Sequence, residues 1–299
     1  MHTIEAVIET RPFGDTGHES TRILFGAAAI GWTSARRAEA TLGTLAGLPI
    51  NHIDTAATYG DAEVRLAPLL ATERDRYFLA TKTGDRSGPD ARASLERSLE
   101  RMGVARVDLI QLHNLVEEDE WQQAFSTGGA VEALFGARDE GLCDHVGVTG
   151  HGLRIARMHA RSIDEAPFAS VLLPWNHSLA QIDRYASDFE DLIATCAARG
   201  IAIQTIKSVA RRRWLDESDN RYSWYEPLDE REALDRAVRF VLADDRLFLN
   251  TSSDPRLLEL MAESAGNRDV APPSDDLLAE DRMRLGIEPL FDGADLEII

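Results

Sequence analysis

Lysine, cysteine and long apolar runs are all scarce in this chain. Of its 32 basic residues only Lys82 and Lys207 are lysines. The two cysteines, Cys143 and Cys196, belong to no Cys-x-x-Cys or Cys/His cluster, so neither a disulfide framework nor a metal site is expected. No stretch approaches the roughly 18 apolar residues of a membrane helix, and residues 1–14 lack a basic segment followed by an apolar run. We therefore expect a cytoplasmic protein.

Positive charge is outweighed by negative charge. The formal net charge is -19 at pH 7, and the resulting field repels both nucleic acid and anionic membrane surfaces. Neither is expected as a partner. The sequence gives no indication of an oligomeric state.

Strand-like and helix-like segments alternate along the 299 residues. The predicted strands are one ending at Gly26 and then Ile50–Asp54, Tyr77–Lys82, Val107–His113, His145–Thr149, Ser170–Pro174, Ile201–Ile206 and Leu247–Thr251. Eight such units in a chain that exceeds the roughly 250 residues of an α/β barrel predict a single-domain (β/α)8 TIM barrel over residues 1–299. The alternative is a doubly wound open sheet, but no Gly-x-Gly-x-x-Gly follows the first strand.

Three segments lie outside this repeat. A predicted N-terminal β-hairpin covers about residues 11–24, a long loop about 210–229, and a C-terminal tail about 267–299. Long loops in compact domains are usually functional lids or disordered. The aromatic residues of the long loop favour a lid there, and the tail fits either description.

Polar side chains end three consecutive predicted strands. Asp54, Lys82 and His113 close the second, third and fourth strands, and Tyr59 follows Asp54 by five residues. Because the carboxyl ends of barrel strands meet on one face, these four side chains are expected to be neighbours. The alternative is an isolated Asp54–Lys82 ion pair beside an interior histidine.

These residues lie in motifs that resemble those of the aldo-keto reductases, over about residues 11–265. The motifs are Arg11-Pro-Phe-Gly-Asp-Thr-Gly17, Asp54-x4-Tyr59-Gly60-x2-Glu63, Thr81-Lys82, Leu112-His113-Asn114, Gly147-Val-Thr-Gly-His151 and Pro174-Trp-Asn176. The resemblance implies hydride transfer between a nicotinamide and a small-molecule carbonyl substrate. It makes Tyr59 the proton donor, assigns the tuning of that phenol to Lys82 and Asp54, and gives His113 the orientation of the substrate oxygen.

Elementary electrostatics predicts how such a set works. A tyrosine has a pKa of about 10, and an ammonium about 4 Å away, at an effective dielectric constant near 20, contributes roughly 4 kcal/mol toward ionisation. We therefore expect Lys82 to lower the pKa of Tyr59 toward neutrality, with Asp54 keeping the buried lysine charged. A neutral His113 can donate a hydrogen bond to a developing alkoxide.

The cofactor contacts depart from the usual family pattern. Where many members have a Ser-Asn pair and a Gln for the carboxamide, this chain has Thr149, Gly150 and Leu172. Thr149 and Asn176 are the predicted amide ligands, although Asn176 is equally suited to a turn cap. The residues predicted to contact the ring and the phosphates are Ile206 beneath the nicotinamide ring, and Lys207, Thr251, Ser252, Ser253 and Arg256 near the phosphates.

The predicted cofactor is NADP. NAD is also possible, because few of the basic residues that favour NADP follow the eighth strand. Two other functions remain open at this point. One is a non-catalytic, nucleotide-binding regulatory subunit of the same fold, as the resemblance implies. The other is an unrelated barrel enzyme in which Lys82 forms a Schiff base.

Overall fold

A closed barrel of eight parallel strands forms the centre of the protein. The computed structural model describes residues 8–216, 222–267 and 270–293. The strands are β1 (Thr10–Pro12), β2 (Glu19–Thr21), β3 (Ile23–Gly26), β4 (His52–Asp54), β5 (Phe78–Thr83), β6 (Val107–Leu112), β7 (Cys143–Thr149), β8 (Ser170–Pro174), β9 (Ala202–Ile206), β10 (Ala210–Arg212), β11 (Glu226–Pro227) and β12 (Leu247–Asn250). Strands β3 to β9 are joined in sequence, and β12 pairs with both β9 and β3 to close the ring.

Helices surround the barrel. They are α1 (Ala35–Gly47), α2 (Ala62–Glu73), α3 (Gly88–Met102), α4 (Glu118–Ala124), α5 (Ala130–Asp139), α6 (Ile155–Glu165), α7 (His177–Ala180), α8 (Asp183–Ala198), α9 (Arg231–Leu242), α10 (Leu258–Gly266) and α11 (Asp275–Leu285). The predicted (β/α)8 barrel with an N-terminal hairpin is therefore confirmed. None of the described helices is long and apolar enough to cross a membrane.

Alternation along the strands separates an outer core from an inner one. Outward-facing residues such as Ile53 and Leu79 belong to the large cluster shared with the helices. Inward-facing Leu24, Phe78 and Phe248 form a second cluster with Phe13 from the hairpin. The hairpin (β1 and β2) thus closes the amino-terminal end of the barrel, which leaves the opposite end for the site.

The long loop and the tail are partly ordered against the barrel. Strands β10 and β11 pair as a small antiparallel ribbon, and residues 217–221 between them lie outside the described part. In the tail, α11 packs beside α9, where Arg236 Nε and Asp281 Oδ2 are 2.6 Å apart. Residues 268–269 and 294–299 of the predicted tail also lie outside the described residues.

Candidate active site

The four side chains predicted at the strand ends meet at the carboxyl end of the barrel. Lys82 Nζ donates to Asp54 Oδ2 at 2.6 Å and to the Thr55 carbonyl oxygen at 2.8 Å. The same nitrogen lies 4.9 Å from the centre of the Tyr59 ring. His113 stands edge-on to that ring, with 5.6 Å between the ring centres. The ammonium, the carboxylate, the phenol and the imidazole therefore share one small volume.

Two close backbone contacts hold the loop that carries Tyr59. A Cβ on Gly31 would lie 2.4 Å from the Tyr59 carbonyl oxygen, and a Cβ on Gly60 would lie 2.7 Å from the Gly31 carbonyl oxygen. Gly60 also has a φ of 51°, in the left-handed region where glycine carries little strain. Only glycine fits at both contacts, so the β3–α1 loop packs directly against the backbone at Tyr59 and Gly60.

A buried glutamate fixes the helix that follows Tyr59. Glu63, 2% exposed, accepts a hydrogen bond from Thr81 Oγ1 at 2.6 Å. Its other oxygen pairs with Arg101 of α3, where Arg101 Nε donates at 2.7 Å. Glu63 thus ties α2 to β5 and α3, and this explains why the glutamate belongs to the motif although it is remote from the cavity.

Burial raises the pKa of Tyr59, whereas the sequence led us to expect a lowered pKa. Desolvation raises the pKa of Tyr59, Lys82 opposes the rise, and Asp54 adds to it, so the net pKa is raised above its ordinary value. The expected fall toward neutrality is therefore wrong for the free protein, because the cost of burying a phenolate exceeds the attraction of the ammonium. Burial also acts against the Lys82 ammonium, but Asp54 and Tyr59 outweigh it and raise the pKa of Lys82.

His113 is held as a neutral imidazole. Burial lowers its pKa to about 3, with Lys82, Arg86 and Lys207 acting in the same direction. Its Nδ1 lies 3.3 Å from Thr58 Oγ1. If the hydroxyl donates to Nδ1, the proton of the neutral ring is on Nε2, and that nitrogen is then a hydrogen-bond donor for a ligand.

Asp54, Tyr59 and His113 line a cavity of about 260 Å³. Its outer wall is aromatic, since the Trp32 and Trp224 rings are 5.3 Å apart and lie 6.1 and 5.8 Å from Tyr59. Trp224 belongs to the long loop. The predicted lid therefore contributes an aromatic residue to the wall over the tyrosine.

The far wall carries part of the predicted cofactor set, namely Ile206, Lys207, Thr251 and Ser253. Lys207 is 6% exposed, and its backbone φ of 63° is left-handed. No acidic side chain in the described ranges pairs with it, and its ammonium lies 5.7 Å from the Tyr225 ring centre. Burial lowers the pKa of Lys207 to about 7, and Arg213 adds to the effect.

Four predicted cofactor residues do not line this cavity. The Thr149 hydroxyl donates to the Leu112 carbonyl oxygen at 3.2 Å, and Asn176 caps α7 and donates to the Lys207 carbonyl oxygen at 2.9 Å. The Ser252 hydroxyl accepts from the Asp254 amide at 3.2 Å. Arg256 pairs with Asp254 at 2.5 Å. The cap that was the alternative for Asn176 is thus present.

Sequence reasoning missed five polar residues of the site. They are Gln111, Gln204 and Asn250 inside the barrel, and Thr58 and His151 on the cavity wall. The signal for the amides was available, because each lies on the inward face of its strand, and Gln111 is in register with Lys82. Without that comparison between strands, an uncharged amide only interrupts the apolar pattern and indicates no function.

The sequence matches the family model described as the aldo/keto reductase family over residues 22–271. The chain therefore belongs to the aldo-keto reductase family. Among curated proteins it is 32% identical to L-galactose dehydrogenase of Arabidopsis thaliana over 163 residues, which are 50% of each chain. It is 33% identical over 134 residues to an uncharacterised oxidoreductase of Schizosaccharomyces pombe. The matches span half or less of these relatives' lengths.

Solved aldo-keto reductases share the fold at lower identity. One from Pseudomonas aeruginosa superposes with a TM-score of 0.68 at 21% identity, covering 86% of this chain and 94% of that one. One from Klebsiella pneumoniae, solved in complex with NADPH, gives 0.67 at 19% identity and covers 98% and 100%. The likeness extends over nearly the whole barrel.

Proposed function

We propose that this protein is an oxidoreductase that uses NAD(P)H to reduce a carbonyl compound, with Tyr59 as the proton donor. The observation that carries the proposal is the Asp54–Lys82–Tyr59 arrangement at the cavity, where Lys82 Nζ donates to Asp54 at 2.6 Å beside the phenol. Family membership supports the reaction class. When bound, the reduced nicotinamide supplies the hydride.

Unpaired polar atoms support a dinucleotide in the cavity. Asn250 Oδ1, Ser253 Oγ and His151 Nδ1 are buried without hydrogen-bond partners, and all three residues line the cavity. A buried polar atom left unpaired costs about 1 to 3 kcal/mol, so a polar ligand that pairs with them recovers that energy. Lys207 adds a cation for a phosphate.

Each member of the site has a distinct role in this proposal. Tyr59, protonated because burial raises its pKa, donates a proton to the carbonyl oxygen as negative charge develops there. Lys82 then stabilises the phenolate that remains, and Asp54 holds the lysine as an ammonium. His113 donates a hydrogen bond from Nε2 to the same oxygen, which fixes its position relative to the phenol.

The geometry favours this function over a Schiff-base enzyme. Lys82 donates to Asp54 and Thr55, and its pKa is raised, whereas a nucleophilic amine requires a lowered one. The non-catalytic regulatory function is the alternative that shares the fold. Complete assembly of the four side chains argues for catalysis, because a subunit that only binds nucleotide has no need of a tuned phenol.

NADP remains the proposed cofactor, with NAD as the alternative. Arg256 is the basic side chain next to the turn after β12, but a 2′-phosphate has to compete there with Asp254, which is 1% exposed. The guanidinium also lies 4.9 Å from the Tyr222 ring centre. We expect Arg256→Ala to weaken NADPH about tenfold and leave NADH unchanged in fluorescence titrations. An equal effect on NADPH and NADH would mean that Arg256 does not bind the 2′-phosphate.

Small aldehydes and ketones with an apolar side are the proposed substrates, because the cavity is small and Trp32 and Trp224 form its outer wall. The test is NADPH consumption with a panel of such carbonyl compounds, for the wild type and Tyr59→Phe. The wild type should turn over, and the variant should bind NADPH equally well but lose at least about 100-fold in kcat. Full activity in Tyr59→Phe refutes the assignment, and tight NADPH binding without turnover on any substrate supports the regulatory alternative.

A further inference from the structure

Three amide side chains form a hydrogen-bonded chain across the inside of the barrel. Asn250 Nδ2 donates to Gln204 Oε1 at 3.4 Å, and Gln204 Nε2 donates to Gln111 Oε1 at 3.0 Å. Gln111 Nε2 then donates to Asp54 Oδ1 at 2.9 Å. The chain runs from the cavity wall through β12, β9 and β6 to the carboxylate that holds Lys82, so the amides are the next layer behind the proposed catalytic group.

The direction of every bond in this chain is set by the carboxylate. An ionised Asp54 can only accept hydrogen bonds, so Gln111 must turn its NH₂ group toward it. The Gln111 carbonyl then faces Gln204 and requires a donor, which in turn places the Gln204 carbonyl toward Asn250. Amide orientation is often ambiguous, but here one anion orders all three groups.

The aligned amides direct a hydrogen bond to the Asp54 carboxylate from inside the barrel. Gln111 and Gln204 are each 0% exposed and Asn250 is 3% exposed, so water does not screen the chain. Each amide has its donor end toward the carboxylate, and hydrogen bonds in series polarise one another.

The other titratable groups around Asp54 supply little of this stabilisation. His52 lies two residues before Asp54 on the same strand, and His113 lies at the cavity. Burial lowers the pKa of both histidines, so both are neutral. Tyr59 is protonated because its pKa is raised. Lys82 is the remaining cation, and it donates to Oδ2 of the carboxylate. The position of the carboxylate therefore also depends on the bond from Gln111 to its second oxygen, Oδ1.

We propose that Gln111 and Gln204 are positioning residues that hold the Asp54 carboxylate in place, and thereby hold the Lys82 ammonium beside Tyr59. The inference rests on the proposed function of Tyr59. Without the Gln111 donor, the Asp54 carboxylate is no longer fixed, the Lys82 ammonium moves away from the phenol, and the phenolate loses its stabilisation. The two glutamines act on the reaction through Asp54 and contact neither substrate nor cofactor.

The experiment compares Gln111→Met and Gln204→Met with the wild type. Methionine keeps the length of glutamine but cannot donate. Leu109→Met, at a 0% exposed position of the inner core, is the matched control, and thermal melting establishes that each variant is folded. The first readout is the pH dependence of kcat/KM for alcohol oxidation, in which the Tyr59 phenolate is the base. The second readout is the absorbance titration of tyrosinate in each free protein, from which the titration of the same protein carrying Tyr59→Phe is subtracted.

In Gln111→Met we expect the Tyr59 inflection to move upward by about one pH unit, which is a roughly tenfold slower oxidation below the inflection. Gln204→Met should move it in the same direction by less, and Leu109→Met should not move it. If both glutamine variants are folded and the inflection stays at the wild-type pH in both readouts, the inference is wrong. A shifted absorbance titration in a protein without nicotinamide-dependent turnover would support the inference and overturn the proposed function.

Discussion

The two lysines of this chain both lie at the candidate site but in opposite electrostatic settings. Lys82 has a carboxylate 2.6 Å away, and its pKa is raised. Lys207 has no acidic partner in the part of the chain that the structure describes, and its pKa is lowered to about 7. The 30 other basic residues are arginines, which do not titrate in proteins. The site therefore holds both lysines of the chain, and of the two it is Lys207 that can change charge near neutral pH.

Binding of the cofactor should take up a proton at Lys207. The pKa of about 7 in the free protein rises when a phosphate lies beside the amine, so the bound form holds more protons. By linkage, NADPH affinity is highest below about pH 7 and weakens above it, by up to tenfold per pH unit. Fluorescence titrations across this range measure the slope. Lys207→Arg, which stays charged, should remove it, and a slope that persists in this variant would locate the proton elsewhere.

Carbonyl reduction should be nearly independent of pH around neutrality. The pKa of Tyr59 is raised above its ordinary value and that of His113 is about 3, so both groups hold their working protonation states between about pH 5 and pH 9. The measurement is kcat at saturating substrate and cofactor. A change in kcat of more than about twofold, with an inflection near pH 7, would contradict the raised pKa of Tyr59 if the residual activity of Tyr59→Phe lacks that inflection.

At the level of elements, strand ends were predictable because they follow simple rules. Strands β6 and β8 begin where the apolar pattern predicts, and Gly103 ends α3 in a left-handed cap. The predicted strand ends placed Asp54, Lys82 and His113 together because parallel strands converge at one end of a barrel. These three side chains, with Tyr59, were accessible from sequence.

Other parts of the site depend on contacts between distant segments. Trp224 reaches the Tyr59 ring from the long loop, and Phe291 of the tail lies 5.9 Å from the Lys207 ammonium. The aromatic residues of the long loop predict a lid, but no local pattern indicates which side chain each of these rings contacts. The direction of the Tyr59 shift likewise required a measure of burial, because an ammonium and a low-dielectric surrounding act in opposite directions on a phenol.

The anchoring of α2 makes a prediction for Glu63. Glu63→Ala removes a 2% exposed carboxylate that binds both Thr81 and Arg101, so we expect a loss of about 3 kcal/mol in the free energy of unfolding. Glu73→Ala on the same helix removes a half-exposed partner of Arg76 and should cost less than about 1 kcal/mol. Urea unfolding compares them. Equal losses would mean that Glu63 does not anchor the helix.

For the whole molecule, stability and chemistry are located at opposite ends of the barrel. Phe13 is 0% exposed and packs between His52, Phe78 and Phe248, with ring centres 4.8, 5.3 and 5.0 Å away. The cavity opens at the other end, beyond the layer of amides. The hairpin thus closes one end of the molecule and contributes nothing to the site.

Phe13→Ala should therefore separate the two properties. Loss of a buried phenylalanine typically costs about 3 to 5 kcal/mol, to be measured by urea unfolding. The kcat and KM of the protein that remains folded should match the wild type. If the variant is as stable as the wild type, or if its folded fraction loses activity, the division between the two ends is wrong.

The central claim is direct transfer of a hydride to a carbonyl carbon at the mouth of this barrel. Incubation with NADPH carrying deuterium at C4 of the nicotinamide, followed by mass spectrometry of the alcohol formed, measures that transfer. The wild type should place one deuterium on the carbinol carbon from a single face of the ring, and Tyr59→Phe should yield almost no labelled alcohol while binding the cofactor. Tight binding of NADPH by the wild type without deuterium in any product of the carbonyl panel would contradict the account.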